Sequence, residues 1–435
     1  MRVLRVENAL LWTGVDDEVI SGAALEAHDG QIVYAGPSPA PVCPLAPGDE
    51  LEVIDAAGQL LMPGFVNAHT HLAMTLLRGY ADDMPLKPWL EEKIWPTEMK
   101  LTGDDVYWGA LLGAVEMLRC GVTCFCDMYH FFVEGTQAAV DAGIRALPSG
   151  VLLGFAGDPM DNLKKAVDFA LPFLEDENSL VVPMLGPHAP YTCPDPLLES
   201  VAAAAHEHGL GVHIHLSETE HEVQESLQTC GVTPVRHLAK IGLLDCQVTA
   251  AHCVRLTDED IEILTEKHVG VVHCPGSNMK LGSGFQPLPA LLSAGAVVGL
   301  GTDGAASNNN LDLLEEARLA ALIHKGYTGD PTVVSAREAM RLATRGGAEA
   351  VGLGDRIGTL EPGKRADFIL VDLSGPHTQP VFDVLSQMVY DARSSDVTTT
   401  VVDGKVLVRN GEFTHIDVTE VVARANECAH RLTQA

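Results

Sequence analysis

The chain has 435 residues, with 59 acidic against 28 basic side chains and a formal net charge of −31 at pH 7. Such an acidic chain without a basic run does not suit a nucleic-acid binder, because phosphate binding depends on clustered Lys and Arg. No stretch of about 18 uninterrupted apolar residues is present to cross a bilayer, and the N-terminal MRVLRVENALLWTG lacks the pattern of a secretion signal. We therefore expect a cytoplasmic protein without nucleic-acid or membrane partners, in which the ten scattered cysteines are reduced.

The chain opens with short alternating segments, such as ALEAHDGQIVYAG, which are typical of small antiparallel sheets. A Thr102 cap, two aspartates and an apolar stripe then predict a helix that ends at Gly121, followed by a strand from Val122 to Asp127. The same alternation recurs further along, with helices predicted at 197–208 and 258–267. Eight predicted strands end near His71, Asp127, Leu152, His188, His215, His252, Cys274 and Asp303.

Eight strands that alternate with helices predict an α/β fold, a (β/α)₈ TIM-like barrel. After the barrel the sequence returns to short alternating segments with Gly and Asp turns, and a closing helix is predicted from Val418. We expect residues 59–355 to form the barrel domain. Residues 1–58 and 356–435 are expected to pair into one composite β-sandwich domain with a C-terminal helix.

Polar residues that suit a metal site follow several of the predicted strands. His69 and His71 come after an apolar run, and the spacing of two directs both side chains to one face of a strand. The segment GLGVHIHLSE likewise directs His213 and His215 to one face, with Glu218 just beyond its end. Taken singly, a buried histidine is more often a hydrogen-bonded core residue, and an aspartate before glycine is usually a turn former.

The barrel fold gives these residues a common location. Active sites of this fold lie at the C-terminal ends of the strands, so the polar strand-end residues should meet at one mouth. They are His69, His71, His188, His215, His252 and Asp303. A joint occurrence at so many strand ends favours a metal-dependent hydrolase over a set of unrelated core residues.

Five motifs together make the chain resemble the amidohydrolase superfamily over nearly its whole length: HTH, HLSE, AAH, GTDGAASNN and PGKRADFILVD. The stretch TLLRGYADDMPLKPWLEEKIWPTEMKLT, with GPHAPYT and HCPGSNMKLGSG, most resembles the methylthioadenosine/S-adenosylhomocysteine deaminases and the related triazine hydrolases. The resemblance implies one divalent metal ion per subunit, usually zinc, held by His69, His71, His215 and Asp303. Three imidazoles and one carboxylate suit zinc chemically, although iron or manganese can occupy similar sites.

The resemblance also implies the catalytic roles. Dinuclear relatives use a carboxylated lysine at the end of the fourth strand, where this chain has His188, so a mononuclear site is expected, as in the deaminases of the superfamily. Glu218 would protonate N1 of an adenine ring, His252 would orient the attacking water, and Asp303 would pass a proton to the departing ammonia. The reaction would convert a 6-amino purine nucleoside to the inosine analogue.

Substrate-binding residues follow from the same resemblance: Glu98, His188, Glu218, Asp303, Trp89 and Ser307. Glu98 matches the glutamate that accepts hydrogen bonds from the ribose hydroxyls. The third strand, SGVLLGFAGDPMDN, lacks the arginine with which relatives bind the homocysteine carboxylate, and Arg145 before it is expected to face outward. We therefore favour 5′-methylthioadenosine, followed by 5′-deoxyadenosine or adenosine, over S-adenosylhomocysteine. Gly276 replaces a glutamate of close relatives, which is expected to widen the pocket or loosen a loop.

Two alternatives remain open from the sequence. A triazine or guanine-type deaminase, or a dehalogenating hydrolase, would use the same scaffold but have no use for a ribose-binding carboxylate at Glu98. A non-catalytic scaffold protein of this fold would typically have lost metal ligands, whereas this chain keeps all four candidates. Homo-oligomers are common in the superfamily, and the sequence leaves the number of subunits open.

Overall fold

Two sheets organise the computed structural model of this chain, which describes residues 1–40, 45–176 and 178–434. The strands in chain order are β1 (Arg2–Trp12), β2 (Val19–His28), β3 (Gln31–Pro37), β4 (Glu50–Asp55), β5 (Leu60–Pro63), β6 (Phe65–Thr70), β7 (Val122–Tyr129), β8 (Arg145–Leu152), β9 (Met184–Pro187), β10 (Gly211–Leu216), β11 (Val248–His252), β12 (Gly270–His273), β13 (Val298–Leu300), β14 (Phe368–Val371), β15 (Val397–Val402), β16 (Lys405–Arg409) and β17 (Glu412–Phe413). Strands β6 to β13 pair in sequence order as one parallel sheet.

Side chains complete the barrel between its first and last strands. Asn67 on β6 donates from Nδ2 to Thr302 Oγ1 at 2.8 Å and accepts from the Thr302 backbone N at 3.0 Å. The backbone N of Asp303 donates to the carbonyl of His69 at 3.0 Å. These contacts bring the two edges of the parallel sheet together and confirm the predicted barrel. They also place Asp303 beside the His-x-His pair.

The second sheet combines strands from both chain ends, in the order β17-β16-β15-β14-β5-β1-β2-β3, with β4 paired to β1. An antiparallel bridge between Gln31 and Arg365 brings β3 next to the segment before β14, so the sheet curls back around its own apolar core. The barrel with an accessory sheet confirms the predicted fold class. The division into a 59–355 domain and a composite domain of 1–58 and 356–435 stays a proposal.

Helices connect the barrel strands and cover the barrel. They are α1 (Leu86–Pro88), α2 (Trp95–Glu98), α3 (Gly103–Arg119), α4 (Phe132–Ala142), α5 (Pro159–Leu174), α6 (Asp195–His208), α7 (Glu220–Thr229), α8 (Pro234–Lys240), α9 (Asp258–Glu266), α10 (Pro275–Lys280), α11 (Leu288–Ala294), α12 (Ala305–Asn308), α13 (Leu313–Thr328), α14 (Ala336–Arg341), α15 (Gly347–Ala350), α16 (Val384–Tyr390) and α17 (Val418–Thr433). A π-helical segment, Trp89–Ile94, joins α1 to α2, so that 86–98 is one continuous helical stretch. Short 3₁₀ turns lie at Leu72–Leu77, Leu243–Asp245 and Ser394–Asp396, and a second π segment at Leu342–Gly346.

Local sequence explains where several helices begin and end. Thr102 and Asp105 form the capping box that begins α3, and the left-handed Gly209, with φ +67°, ends α6. Within the described ranges, no helix is both long and apolar enough to cross a membrane. The cysteines that the structure describes are all free thiols, and Cys43 lies outside those residues.

Candidate active site

The strand-end residues converge at one mouth of the barrel. His69 lies on β6 with His71 directly after it, His215 lies on β10, and Asp303 follows β13. Asp303 Oδ1 lies 3.3 Å from His69 Nε2 and 3.2 Å from His71 Nε2, and the Nε2 atoms of His71 and His215 are 3.2 Å apart. Four ligands about 2.0 Å from a tetrahedral ion would be about 3.3 Å from one another. The donor set therefore fits a single zinc ion.

An unpaired nitrogen supports this fit. His69 Nε2 is buried and has no hydrogen-bond partner among the described residues, and it points into the cluster. Burial lowers the pKa of His69 to about 4, so this ring is neutral at pH 7. Burial also opposes the charged form of His71, but the hydrogen bond and charge of Asp303 outweigh it and raise the pKa of His71 to about 9. Zinc binding would therefore displace a proton from His71.

The hydrogen bonds of two Nδ1 atoms decide which ring nitrogen faces the metal position. Nδ1 of His71 donates to the Met128 carbonyl and Nδ1 of His215 to the His188 carbonyl, each at 2.7 Å. Since a carbonyl only accepts, both rings carry a proton on Nδ1, so Nε2 is the nitrogen that faces the metal position. The fourth predicted strand thus contributes a backbone acceptor to the site as well as the His188 ring.

His69 is oriented by a longer chain of hydrogen bonds. Ser149 Oγ donates to the Asp127 carbonyl at 2.6 Å, so it accepts from His213 Nδ1 at 3.2 Å. Burial keeps the pKa of His213 well below its usual range, so its other nitrogen, Nε2, is an acceptor. His69 Nδ1 lies 2.7 Å from that atom and donates to it. The lone pair of His69 Nε2 is consequently left for the metal.

The carboxylate of Asp303 is held on both sides. Its Oδ2 accepts from Ser277 Oγ at 2.6 Å and from Ser307 Oγ at 2.7 Å, while Oδ1 faces the imidazoles. Asp303 and His252 both adopt a left-handed backbone, with φ of +60° and +72°. Such conformations cost free energy in residues other than glycine and are common where an active site fixes a side chain.

Glu218 and His252 face each other beside the cluster. Glu218 Oε2 lies 3.9 Å from His252 Nε2, and Ser283 Oγ donates to Glu218 Oε1 at 3.0 Å. Nδ1 of His252 lies 2.9 Å from Asn278 Oδ1, which aims Nε2 at the site. Burial raises the pKa of Glu218, so this carboxyl holds a proton more readily than an exposed glutamate.

One pocket connects this cluster to the predicted substrate-binding residues. Trp89, Glu98, His188 and Ser307 line it together with His71, His215, Glu218, His252 and Asp303. Burial raises the pKa of Glu98 to about 7, and its Oε1 has no partner among the described residues. Burial and nearby imidazoles lower the pKa of His188 to about 3, so it is a neutral ring at pH 7.

Two expectations from the sequence are wrong. Arg145 does not precede the third barrel strand and face outward: it begins β8, is fully buried, and donates to both oxygens of Asp367 at 2.8 and 3.0 Å. Gly276 neither widens the pocket nor loosens its loop. Its backbone N donates to Glu316 Oε2, and an added Cβ would come within 2.5 Å of Glu316 and Asn308, which fill that space.

Several functional side chains were missed by sequence reasoning. The strand pattern predicts the face of His213 but assigns it no role, and it indicates Asp127 only as a strand end. Asp127 Oδ1 accepts from the Leu72 backbone N at 2.7 Å, directly after the metal-binding segment. Ser277 and Asn278, the partners of Asp303 and His252, lie in the motif HCPGSNMKL just after the seventh barrel strand, and this location is the sequence signal for them.

Comparisons with known proteins agree with this site. A profile of the amidohydrolase family matches residues 60–407. A 5-methylthioadenosine/S-adenosylhomocysteine deaminase of Moorella thermoacetica is 47% identical over 418 residues, which cover 96% of this chain and 97% of the relative.

Two solved structures share the fold closely. A zinc-bound adenosine deaminase from Xanthomonas campestris has a TM-score of 0.93 and 37% identity, over 99% of this chain and 98% of that one. A zinc-bound atrazine chlorohydrolase from Arthrobacter aurescens has a TM-score of 0.87 and 28% identity, over 98% of this chain and 100% of that one. The chain therefore belongs to the amidohydrolase family.

Proposed function

We propose that this protein is a zinc-dependent hydrolytic deaminase that converts an adenine nucleoside to the inosine analogue and ammonia, with 5′-methylthioadenosine as its favoured substrate. One observation carries the proposal: a donor set that fits one zinc ion shares its pocket with the buried carboxylate of Glu98. The relatives named for deamination of methylthioadenosine, S-adenosylhomocysteine and adenosine support it.

The metal would be held by His69, His71, His215 and Asp303. When bound, zinc supplies a Lewis acid that makes water a nucleophile near neutral pH. His252 orients the attacking water through Nε2, since Asn278 fixes its other nitrogen.

Two carboxyl groups carry out the proton transfers. As water adds to C6 of the purine, N1 gains a proton, and we assign Glu218 as the donor because burial raises the pKa of its carboxyl. Asp303 accepts a proton from the water and returns it to N6 as the C6–N6 bond breaks. Ammonia leaves, the C6 hydroxyl gives its remaining proton to Glu218 and becomes the carbonyl, and one water is consumed for each ammonia released.

Glu98 positions the nucleoside. Its buried Oε1 has no partner among the described residues and suits donors from a ribose, since a buried acceptor without a partner gains most from such donors. A triazine or guanine brings no ribose to this position, so Glu98 favours a nucleoside over those alternatives.

The test is ammonia release by the zinc-loaded protein from methylthioadenosine, S-adenosylhomocysteine, 5′-deoxyadenosine, adenosine, guanine and a chlorotriazine, ranked by kcat/KM. We expect adenine nucleosides to be turned over, with methylthioadenosine first. Glu218→Gln serves as the inactive control: it should keep one zinc per chain and lose about 10²–10⁴-fold in kcat. No turnover of any adenine nucleoside, or turnover led by guanine or the triazine, would refute the proposal.

A further inference from the structure

A second cavity adjoins the active-site pocket, and we name it the outer cavity. Its wall is continuous with that of the pocket, because five apolar or aromatic residues line both: Leu86, Leu90, Trp95, Tyr191 and Leu281. Phe155 extends the wall on the side of the third barrel strand, with its ring 6.0 Å from that of Trp95. A substituent that leaves the pocket past these residues enters the outer cavity.

The outer cavity carries charges of both signs. Arg255, Lys87 and His221 line it together with the carboxylates of Glu91, Glu220 and Glu225. Lys87 and His221 each have an acidic neighbour one helical turn away, at 4.0 and 3.8 Å. Arg255 forms no ion pair with any residue that the structure describes. A zwitterionic group would therefore find a free guanidinium and exposed carboxylates in one cavity.

The location of Arg255 is fixed by its backbone. Its N donates to the carbonyl of Ser217, at the end of β10, at 2.8 Å. Gly284 makes room for the side chain, since an added Cβ there would come within 2.9 Å of Arg255 Nη2. Arg255 thus lies at the outer end of the site, beside Ser283. The hydroxyl of Ser283 donates to Glu218.

The third barrel strand offers no competing cation. Arg145 is fully buried in its pair with Asp367, at the opposite end of β8 from the pocket. A carboxylate on the substrate tail needs a partner elsewhere, and a planar guanidinium is the strongest available.

We propose that the outer cavity holds the 5′ substituent of the nucleoside and that Arg255 binds the carboxylate of an amino-acid tail, as in S-adenosylhomocysteine. This inference rests on the proposed deaminase function. The exposed carboxylates of Glu220 and Glu225 face the ammonium group of the same tail. Methylthioadenosine, whose substituent ends in a methyl group, does not reach Arg255.

The test compares S-adenosylhomocysteine with its decarboxylated analogue, 5′-(3-aminopropylthio)adenosine, in wild type and Arg255→Gln. We expect the ratio of their kcat/KM values to fall about 10-fold in the variant, the lower end for a charged hydrogen bond because Arg255 is exposed. Arg236→Gln is the matched control, a partly exposed arginine paired with Glu259 that does not line the outer cavity. This control should leave the ratio unchanged.

Three outcomes would overturn the assignment. If both kcat/KM values of Arg255→Gln equal those of wild type, the carboxylate contact is removed, and a fall of the ratio in Lys87→Gln instead would transfer the contact to that residue. If both values fall equally, so that their ratio is unchanged, the variant has displaced Ser283 and Glu218 and the contact is not supported. Failure of the proposed function is recognised separately, because wild type would then release no ammonia from any adenine nucleoside.

Discussion

Replacing Glu98 by glutamine should weaken nucleoside turnover and stabilise the folded protein. The side chain is only 6% exposed, and its Oε1 has no partner among the described residues. Burial raises the pKa of this carboxyl from 4.5 to about 7. The folded state therefore binds the Glu98 proton more tightly than the unfolded state does. Stability is lost as the pH rises from 4.5 to about 7, and the full cost of the charge is present above that range.

The size of the change in the free energy of unfolding follows from the pKa shift of Glu98. At about 1.4 kcal/mol for each pKa unit, the charged carboxylate costs the folded state about 3 kcal/mol at pH 8. Glu98→Gln removes the charge and keeps the shape, so it should raise the free energy of unfolding by up to this amount at pH 8 and by almost nothing at pH 4. The lost charged hydrogen bonds to the ribose should lower kcat/KM for nucleosides about 10- to 100-fold.

Two measurements on the same variant check this reasoning. Urea unfolding at pH 8 and pH 4 gives the stability, and ammonia release from methylthioadenosine gives kcat/KM. Glu92→Gln is the matched control, because Glu92 lies on the same helical stretch but is exposed and lines neither the pocket nor the outer cavity; it should change neither quantity. Unchanged kinetics in Glu98→Gln would remove the ribose contact, and a loss of stability at pH 8 would contradict the cost of burying this charge.

Three further changes test how the site is held. His213→Ala should weaken zinc binding about 10- to 100-fold in competition with a chelator, because His69 Nδ1 loses its acceptor. A zinc affinity equal to that of wild type would show that the hydrogen bonds through His213 and Ser149 are not needed for zinc binding. Ser277→Ala should lower kcat about 10-fold at full zinc occupancy, because Asp303 Oδ2 keeps only Ser307; a fall in zinc content instead would place Ser277 in metal retention. Arg145→Ala should lower the free energy of unfolding, measured in urea, by about 3–5 kcal/mol, because Asp367 stays buried without its ion-pair partner. A decrease below about 1 kcal/mol would mean that water replaces the guanidinium.

The groups at the strand ends could be predicted because their positions follow from local rules. Alternation along a strand decides that His213 and His215 share a face, and the parallel barrel decides that strand ends meet. The depth of each side chain in the barrel is not a local property. His215 reaches the metal position while His213, two residues earlier, contacts Ser149 and Cys126 below it.

Partners from distant parts of the chain account for what sequence reasoning missed. Arg145 is buried because Asp367, 222 residues later, comes from the accessory sheet to meet it. The space at Gly276 is filled by Glu316 and Asn308, from segments after the last barrel strand. No pattern around Arg145 or Gly276 indicates these pairings, which depend on how the barrel packs against its neighbours.

The proposed catalytic and substrate-binding residues occupy different parts of this fold. The proposed metal ligands and proton-transfer groups lie at or just beyond the ends of barrel strands, whose two outer edges are joined by Asn67 and Thr302. Glu98 and Arg255 lie instead on the helical stretch 86–98 and on the loop after β11, outside the barrel strands. Changes there need not move the imidazoles, since neither residue contacts a metal-facing nitrogen. Substrate preference can therefore differ between members with the same donor set, and zinc content should be unaffected by Glu98→Gln and Arg255→Gln.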